Sequence, residues 1–183
     1  MEQFQADGYE GTSVQDLVDA TGVSRSSLYD TFGPKDQLYL AALDHYHEQQ
    51  IQSIADRLRA NGSPLARIRA VLETAAQGCE EGRGCLLVDA AIERSRHCDD
   101  TGRHAATGLR GLEAAFAEAV RRAQQAGEVP EQTAPMRAGR ALTNAYCGLS
   151  VTARLGPASG TDDVIESLLA ALRSGCVPED GAQ

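Results

Sequence analysis

Two apolar stripes of barely two turns each, separated by a single glycine, constrain this chain more than any other feature. Val14, Leu17 and Val18 recur at helical spacing and stop at Thr21-Gly22, and Leu28, Tyr29 and Phe32 follow and stop at Gly33-Pro34. Helices this short are unstable alone because nucleation outweighs what a few turns return, so the pair must pack against each other or against neighbours. The turn between them is Ala20-Thr21-Gly22-Val23-Ser24. Gly22 can take the positive φ that a tight interhelical turn needs, and Val23 can plug the angle between the helices. Helices are therefore expected over Val14 to Ala20 and Ser24 to Thr31. At the first start, Thr12 and Gln15 fit a reciprocal capping box.

The same periodicity continues to the C-terminus. Pro34 suits the first position of a third helix, which runs through Leu38, Leu43, Tyr46, Ile51, Ile54 and Leu58 until Asn61-Gly62-Ser63-Pro64 breaks it. Ser63-Pro64 opens another through Leu65, Ile68, Val71 and Leu72, which fades into the glycine-rich stretch from Gly78 to Gly84. Leu86 to Arg94 reads as a short helix, and the polar segment from His97 to Gly102 leads into the stripe Leu109, Leu112, Phe116 and Val120, which stops at Gly127 and Pro130. Two further helices fit roughly Met136 to Leu155 and Asp162 to Ser174. Apolar residues make up 42% of 183 and aromatics 4%, with no Trp, while period-two β patterns are scarce. The expected fold class is all-α: an N-terminal three-helix unit followed by a larger helical domain. The boundary is expected inside the long third helix, giving domains of 1–45 and 46–183.

The function classes narrow by exclusion. No run of eighteen apolar residues exists, and Met1-Glu2-Gln3-Phe4-Gln5-Ala6-Asp7 lacks the basic and apolar parts of a signal peptide, so a cytoplasmic protein without membrane partners is expected. Five cysteines, Cys79, Cys85, Cys98, Cys147 and Cys176, form an odd, irregular set unlike a disulfide framework. The formal net charge of -9 argues against coating nucleic acid by bulk electrostatics. Any DNA binding must come from a local patch.

The two short helices have the dimensions of a helix-turn-helix. The second opens with Ser24, Arg25, Ser26 and Ser27, small polar residues that let backbone approach DNA while one long cation reaches a base edge or phosphate. A helix N-terminus also favours phosphate through its free N–H groups and dipole. The unbroken segment from Gly8 through Leu38, GYEGTSVQDLVDATGVSRSSLYDTFGPKDQL, resembles the DNA-binding half of the TetR family. The resemblance implies a homodimeric, all-α repressor that binds a palindromic double-stranded DNA operator and leaves it when a small-molecule inducer enters the C-terminal domain. It places Thr12 and Ser13 on backbone phosphate, Arg25, Ser26 and Ser27 toward bases, and Tyr29 and Lys35 on phosphate, with Ser24 also in the DNA-binding set. Beyond this segment the likeness is one of helix pattern only. The family usually has a full, often basic helix before the equivalent of Gly8-Tyr9, and here seven residues precede it, so a shortened start is expected. Up to residue 45 the only Lys or Arg are Arg25 and Lys35, against eight acidic residues. Modest, strongly salt-sensitive affinity with few phosphates neutralised is expected from that balance.

Other groups carry two readings each. Cys79 and Cys85 flank Arg83, which suits a thiol sensor, and equally suit small apolar packing near a helix end. Arg96-His97-Cys98-Asp99-Asp100 with His104 offers mixed metal ligands at a spacing matching no familiar zinc pattern, so a surface loop is expected. Phe116, Asn144, Tyr146 and Cys147 are candidates for a ligand pocket or for plain core. Ala141, Ala145, Gly148 and Ala171 suit close helix approach across a two-fold bundle or within the monomer. No cofactor is implied, and no recognisable Ser/His/Asp, paired-carboxylate or phosphate-loop constellation supports an enzyme.

Overall fold

The computed structural model describes residues 1–77, 85–153 and 160–175, which contain nine α-helices and no strand. They are α1 Glu2–Gly11, α2 Val14–Thr21, α3 Arg25–Phe32, α4 Lys35–Arg59, α5 Pro64–Ala76, α6 Leu86–Glu93, α7 Asp99–Gln125, α8 Pro135–Thr152 and α9 Thr161–Ser174. The chain divides into two compact units, Met1–Gln50 with Cys85–Gly108, and Ile51–Gly84 with Leu109–Gln183. Both α4 and α7 supply residues to each.

In the first unit α2 and α3 pack as the sequence expects, with Leu17 and Leu28 buried between them. Gly22 ends α2 at φ 69° and its N–H donates to Val18 O, the left-handed exit that only glycine makes without strain. The capping box is displaced by one residue from its expected place. Ser13 and Asp16 form it, the Ser13 hydroxyl accepting from Asp16 N and the Asp16 carboxylate from Ser13 N. Thr12 is withdrawn into the core instead, its hydroxyl donating to Gly8 O at 2.7 Å, and Gln15 bonds Asp19. The first eleven residues hold a helix that the sequence pattern did not mark, α1, bent at Gly8 and anchored by buried Phe4. Phe4, Tyr9 and Tyr39 form an aromatic cluster, with the Tyr39 ring edge-on to each of the others at 5.0 Å. Here α1 packs on α6. The segment expected as a loop from His97 becomes helix at Asp99, nearly three turns before the first apolar stripe residue, and His104 of that segment meets Asp44 of α4.

The second unit is built on α5, which packs against α8 and α9. Ile68, Val71, Leu72 and Ala75 form its buried face. Pro64 takes the first turn, where its missing N–H costs nothing, and Ser63 caps Ala66 N. Leu112, Phe116, Val120 and Ala123 of α7 are buried, as are Leu142, Tyr146 and Leu149 of α8. Gly139 lets α8 approach α7 backbone: a Cβ there would lie 2.6 Å from Glu113 O and 2.9 Å from Ala117 N.

Those neighbours are backbone and cannot turn aside. Gly139→Ala is therefore expected to destabilise the second unit by about 1–3 kcal/mol, the usual cost of overpacking. Denaturant unfolding followed by circular dichroism reads the loss, and an unchanged midpoint would show that the two helices can separate at no cost.

Candidate nucleic-acid interface

The candidate DNA-reading surface is the start of α3. Ser24 is its N-cap: the hydroxyl accepts from Ser27 N at 3.2 Å and lies within 3.0 Å of both the Ser26 and Ser27 hydroxyls. Three hydroxyls thus converge on one helix end, and Arg25, Ser26, Ser27 and Tyr29 are exposed. Tyr29 shows 44% of its surface, beside Val23 and Phe32 at 40% each. Ser13 is exposed at the start of α2, so two helix N-termini present hydroxyls. The hydrogen bonds from Ser13 hold the Asp16 carboxyl below the usual carboxylate range.

Two residues expected on phosphate sit elsewhere. Thr12 is fully buried with its hydroxyl spent on the Gly8 carbonyl, which leaves no side-chain donor for DNA. Lys35 turns inward: its ammonium donates to Tyr9 O and lies 4.0 Å from the centre of the Tyr9 ring. The Arg94 guanidinium lies 3.5 Å from that centre and pairs with Asp36 and Glu10. The Tyr9 hydroxyl donates to Asp36, and burial followed by that bond pushes its pKa up to about 12. Sequence reasoning missed Glu93 and Arg94 entirely, because nothing local marks two residues of α6 as partners of α1.

Candidates in the C-terminal half separate. Phe116 and Tyr146 are buried with ring centres 6.4 Å apart, and Cys147 is half-buried. Asn144 lies on the exposed face of α8, apart from the buried Phe116 and Tyr146 side chains. Thr143, one turn before Tyr146, was missed; its hydroxyl is buried without a hydrogen-bond partner among the described residues. Ala141 and Gly148 are exposed and Ala145 and Ala171 half-buried. Cys79 and Arg83 lie outside the described residues. Cys85 caps α6 and is 4% exposed, so the partly exposed thiol that a sensor needs is not found there. Cys98, by contrast, is half-buried, and hydrogen bonds from the Thr101 hydroxyl and backbone hold its thiol below the ordinary value, with Arg94 adding to the effect. Among the described residues no group of three His, Cys, Asp or Glu could hold a metal ion, and no helix is long and apolar enough to cross a membrane.

Residues 1–42 match the family model of bacterial regulatory proteins of the tetR family, and residues 64–168 match the tetracyclin repressor-like C-terminal domain. The HTH-type transcriptional regulator YezE of Bacillus subtilis is 36% identical over 132 residues, covering 70% of this chain and 68% of its own length. A TetR-family regulator from Cytophaga hutchinsonii superposes with a TM-score of 0.82 at 21% identity, over 98% of this chain and 90% of that one, a likeness of fold. A cysteine mutant of the TetR-family regulator CifR, solved with 26-base-pair operator DNA, superposes with a TM-score of 0.79 at 27% identity, over 93% of this chain and 91% of its own. The chain belongs to the TetR family and is a DNA-binding transcriptional regulator.

The Cys98 geometry has a measurable consequence. With a depressed thiol pKa the thiolate persists to lower pH, so alkylation of Cys98 should reach half its maximal rate below the ordinary cysteine value of about 8.5. Thr101→Val removes one donor and should move that midpoint upward. Peptide mass spectrometry of iodoacetamide-treated protein across pH reads it, and an unmoved midpoint would remove Thr101 as the cause.

Proposed function

We propose that this chain is a homodimeric repressor that reads a palindromic double-stranded operator through α3 and is released by a small-molecule inducer. The observation that carries the reading is the exposed, serine-capped start of α3 with Arg25 as its outward cation. Residues 1–45 do the reading and 46–183 the dimerising and ligand sensing. The protein works in the cytoplasm as a regulator and not as an enzyme, with no cofactor. Two observations support a ligand cavity with an aromatic wall and one polar anchor: the neighbouring buried rings of Phe116 and Tyr146, and the buried Thr143 hydroxyl, one turn before Tyr146, without a partner among the described residues.

Phosphate binding rests on neutral donors, Ser13, Ser24, Ser26, Ser27 and Tyr29, with Arg25 as the one outward cation among those candidates. Counterion release scales with phosphates neutralised by cations, so salt dependence is shallow and the expectation of strong sensitivity is revised. Selection of bound DNA from a random pool supplies the operator. On it, Arg25→Ala should lose about 1–3 kcal/mol and most of its preference over scrambled sequence, while Lys35→Ala, which frees the Tyr9 carbonyl and removes no phosphate contact, should weaken operator binding with little change on scrambled DNA. Equal losses on both DNAs for Arg25→Ala would take that residue out of base readout.

Dimerisation is assigned to α8 and α9. Val164 is 47% exposed, and the half-buried Leu168 and Ala171 continue its face of α9, adjoining the buried Ile165, Leu169 and Leu172. Met136 and Val151 are exposed on α8. Leu168→Glu should yield folded monomers in sedimentation, since a carboxylate buried in a subunit interface is costly. Loss of helical signal instead of dissociation would place Leu168 in the monomer core and the interface elsewhere.

A further inference from the structure

Gly8 breaks α1 with a φ of 71°, so the N–H groups of Tyr9 and Glu10 at the helical restart have lost their acceptors within the helix. One carboxylate from more than eighty residues away takes both. Glu93 Oε2 accepts from Tyr9 N at 3.0 Å and Oε1 accepts from Glu10 N at 2.8 Å. A Cβ on Gly8 would stand 3.0 Å from Glu93 Oε2, so the absence of a side chain there is what lets the carboxylate in.

The neighbouring Arg94 completes the joint. Its guanidinium covers the Tyr9 ring and pairs with Asp36 at 3.0 Å, while its side chain is only 12% exposed. Asp36 also accepts the Tyr9 hydroxyl, and Lys35 beside it holds the Tyr9 carbonyl. The end of α6 therefore grips the restart of α1 and the first turn of α4 together. That first turn of α4 follows α3 with only Gly33 and Pro34 between, so whatever fixes it sets where α3 leaves its turn.

We propose that Glu93 and Arg94 are positioning residues for operator recognition, Glu93 by capping the restart of α1 and Arg94 by tying Tyr9 to Asp36, although neither lies on α2 or α3. The proposal rests on operator reading by α3. It assigns two residues of the C-terminal half to the specificity of the N-terminal helices, with no role in touching DNA.

The test uses the full chain with the selected operator, scrambled DNA and amide hydrogen exchange. Glu93→Ala should accelerate exchange at Tyr9 and Glu10 and weaken operator binding roughly tenfold, in line with the loss of a helix cap, with little change on scrambled DNA. Glu93→Gln keeps a single acceptor oxygen and should rescue part of both losses. Arg94→Lys keeps the charge without the planar stack and should weaken operator binding while leaving the two amides protected. Operator affinity that stays at the wild-type level in Glu93→Ala while the amides open overturns the proposal. Should Glu93→Ala not fold, wild-type affinity in both Glu93→Gln and Arg94→Lys overturns it equally. Wild-type protein that fails to separate operator from scrambled DNA overturns operator reading itself, a result distinct from either.

Discussion

Every helix begins with backbone N–H groups that nothing inside the helix can accept, and where this chain finds acceptors for them decides much of its architecture. Three starts are served locally: Ser13 with Asp16 on α2, Ser24 on α3 and Ser63 on α5. Two are served from afar. Glu93 takes the N–H groups after the Gly8 bend, and Glu128 takes Leu65 N together with the Ser63 hydroxyl. A buried or half-buried N–H left unmet costs about 1–3 kcal/mol, so each remote carboxylate fastens one part of the chain to another with a cost for letting go.

That division also marks what was legible in the sequence. Helices α2 and α3 were readable because each carries its own stop, Gly22 or Gly33-Pro34, and a serine within a residue or two of its start. The family resemblance rested on that same stretch. Helix α1 was missed because its stripe is weak and its bend is capped by a residue 83 and 84 positions from the groups it caps, a pairing that periodicity does not encode. Thr12 misled because threonine caps helices as readily as serine; only tertiary packing, which buries it against the Gly8 carbonyl, hands the cap to Ser13. The exposure of Asn144 and the burial of Cys85 were illegible for a related reason. Residue type suggested a pocket and a sensor, but the exposed and buried faces of α8 and the cap of α6 are set by neighbours far along the chain.

The charge pattern looks wrong for a DNA reader until the geometry is considered. Acidic side chains are spent at structural posts: Asp16 in a cap, Asp36 under the Tyr9 hydroxyl and Arg94, Asp44 against His104. Lys35 is spent the same way, on the Tyr9 carbonyl and ring. What faces outward at the start of α3 is a set of hydroxyls and one arginine, with the helix dipole behind them.

As the proposed reading surface it has little long-range attraction to draw DNA in, and binding there would have to come from short hydrogen bonds that form only at the right distance. Neutral donors lose nearly all their value when displaced, since hydrogen bonds weaken steeply with angle and length, whereas a lysine-rich surface tolerates misplacement. A reader built from serines therefore depends on being held still. The rigidity is supplied by the aromatic cluster of Phe4, Tyr9 and Tyr39, by the two cations over Tyr9, and by the bidentate cap from Glu93. In this chain Lys35, a cation that could otherwise have met phosphate, is one of the groups that hold the helices in place, which leaves the start of α3 to hydroxyls and one arginine.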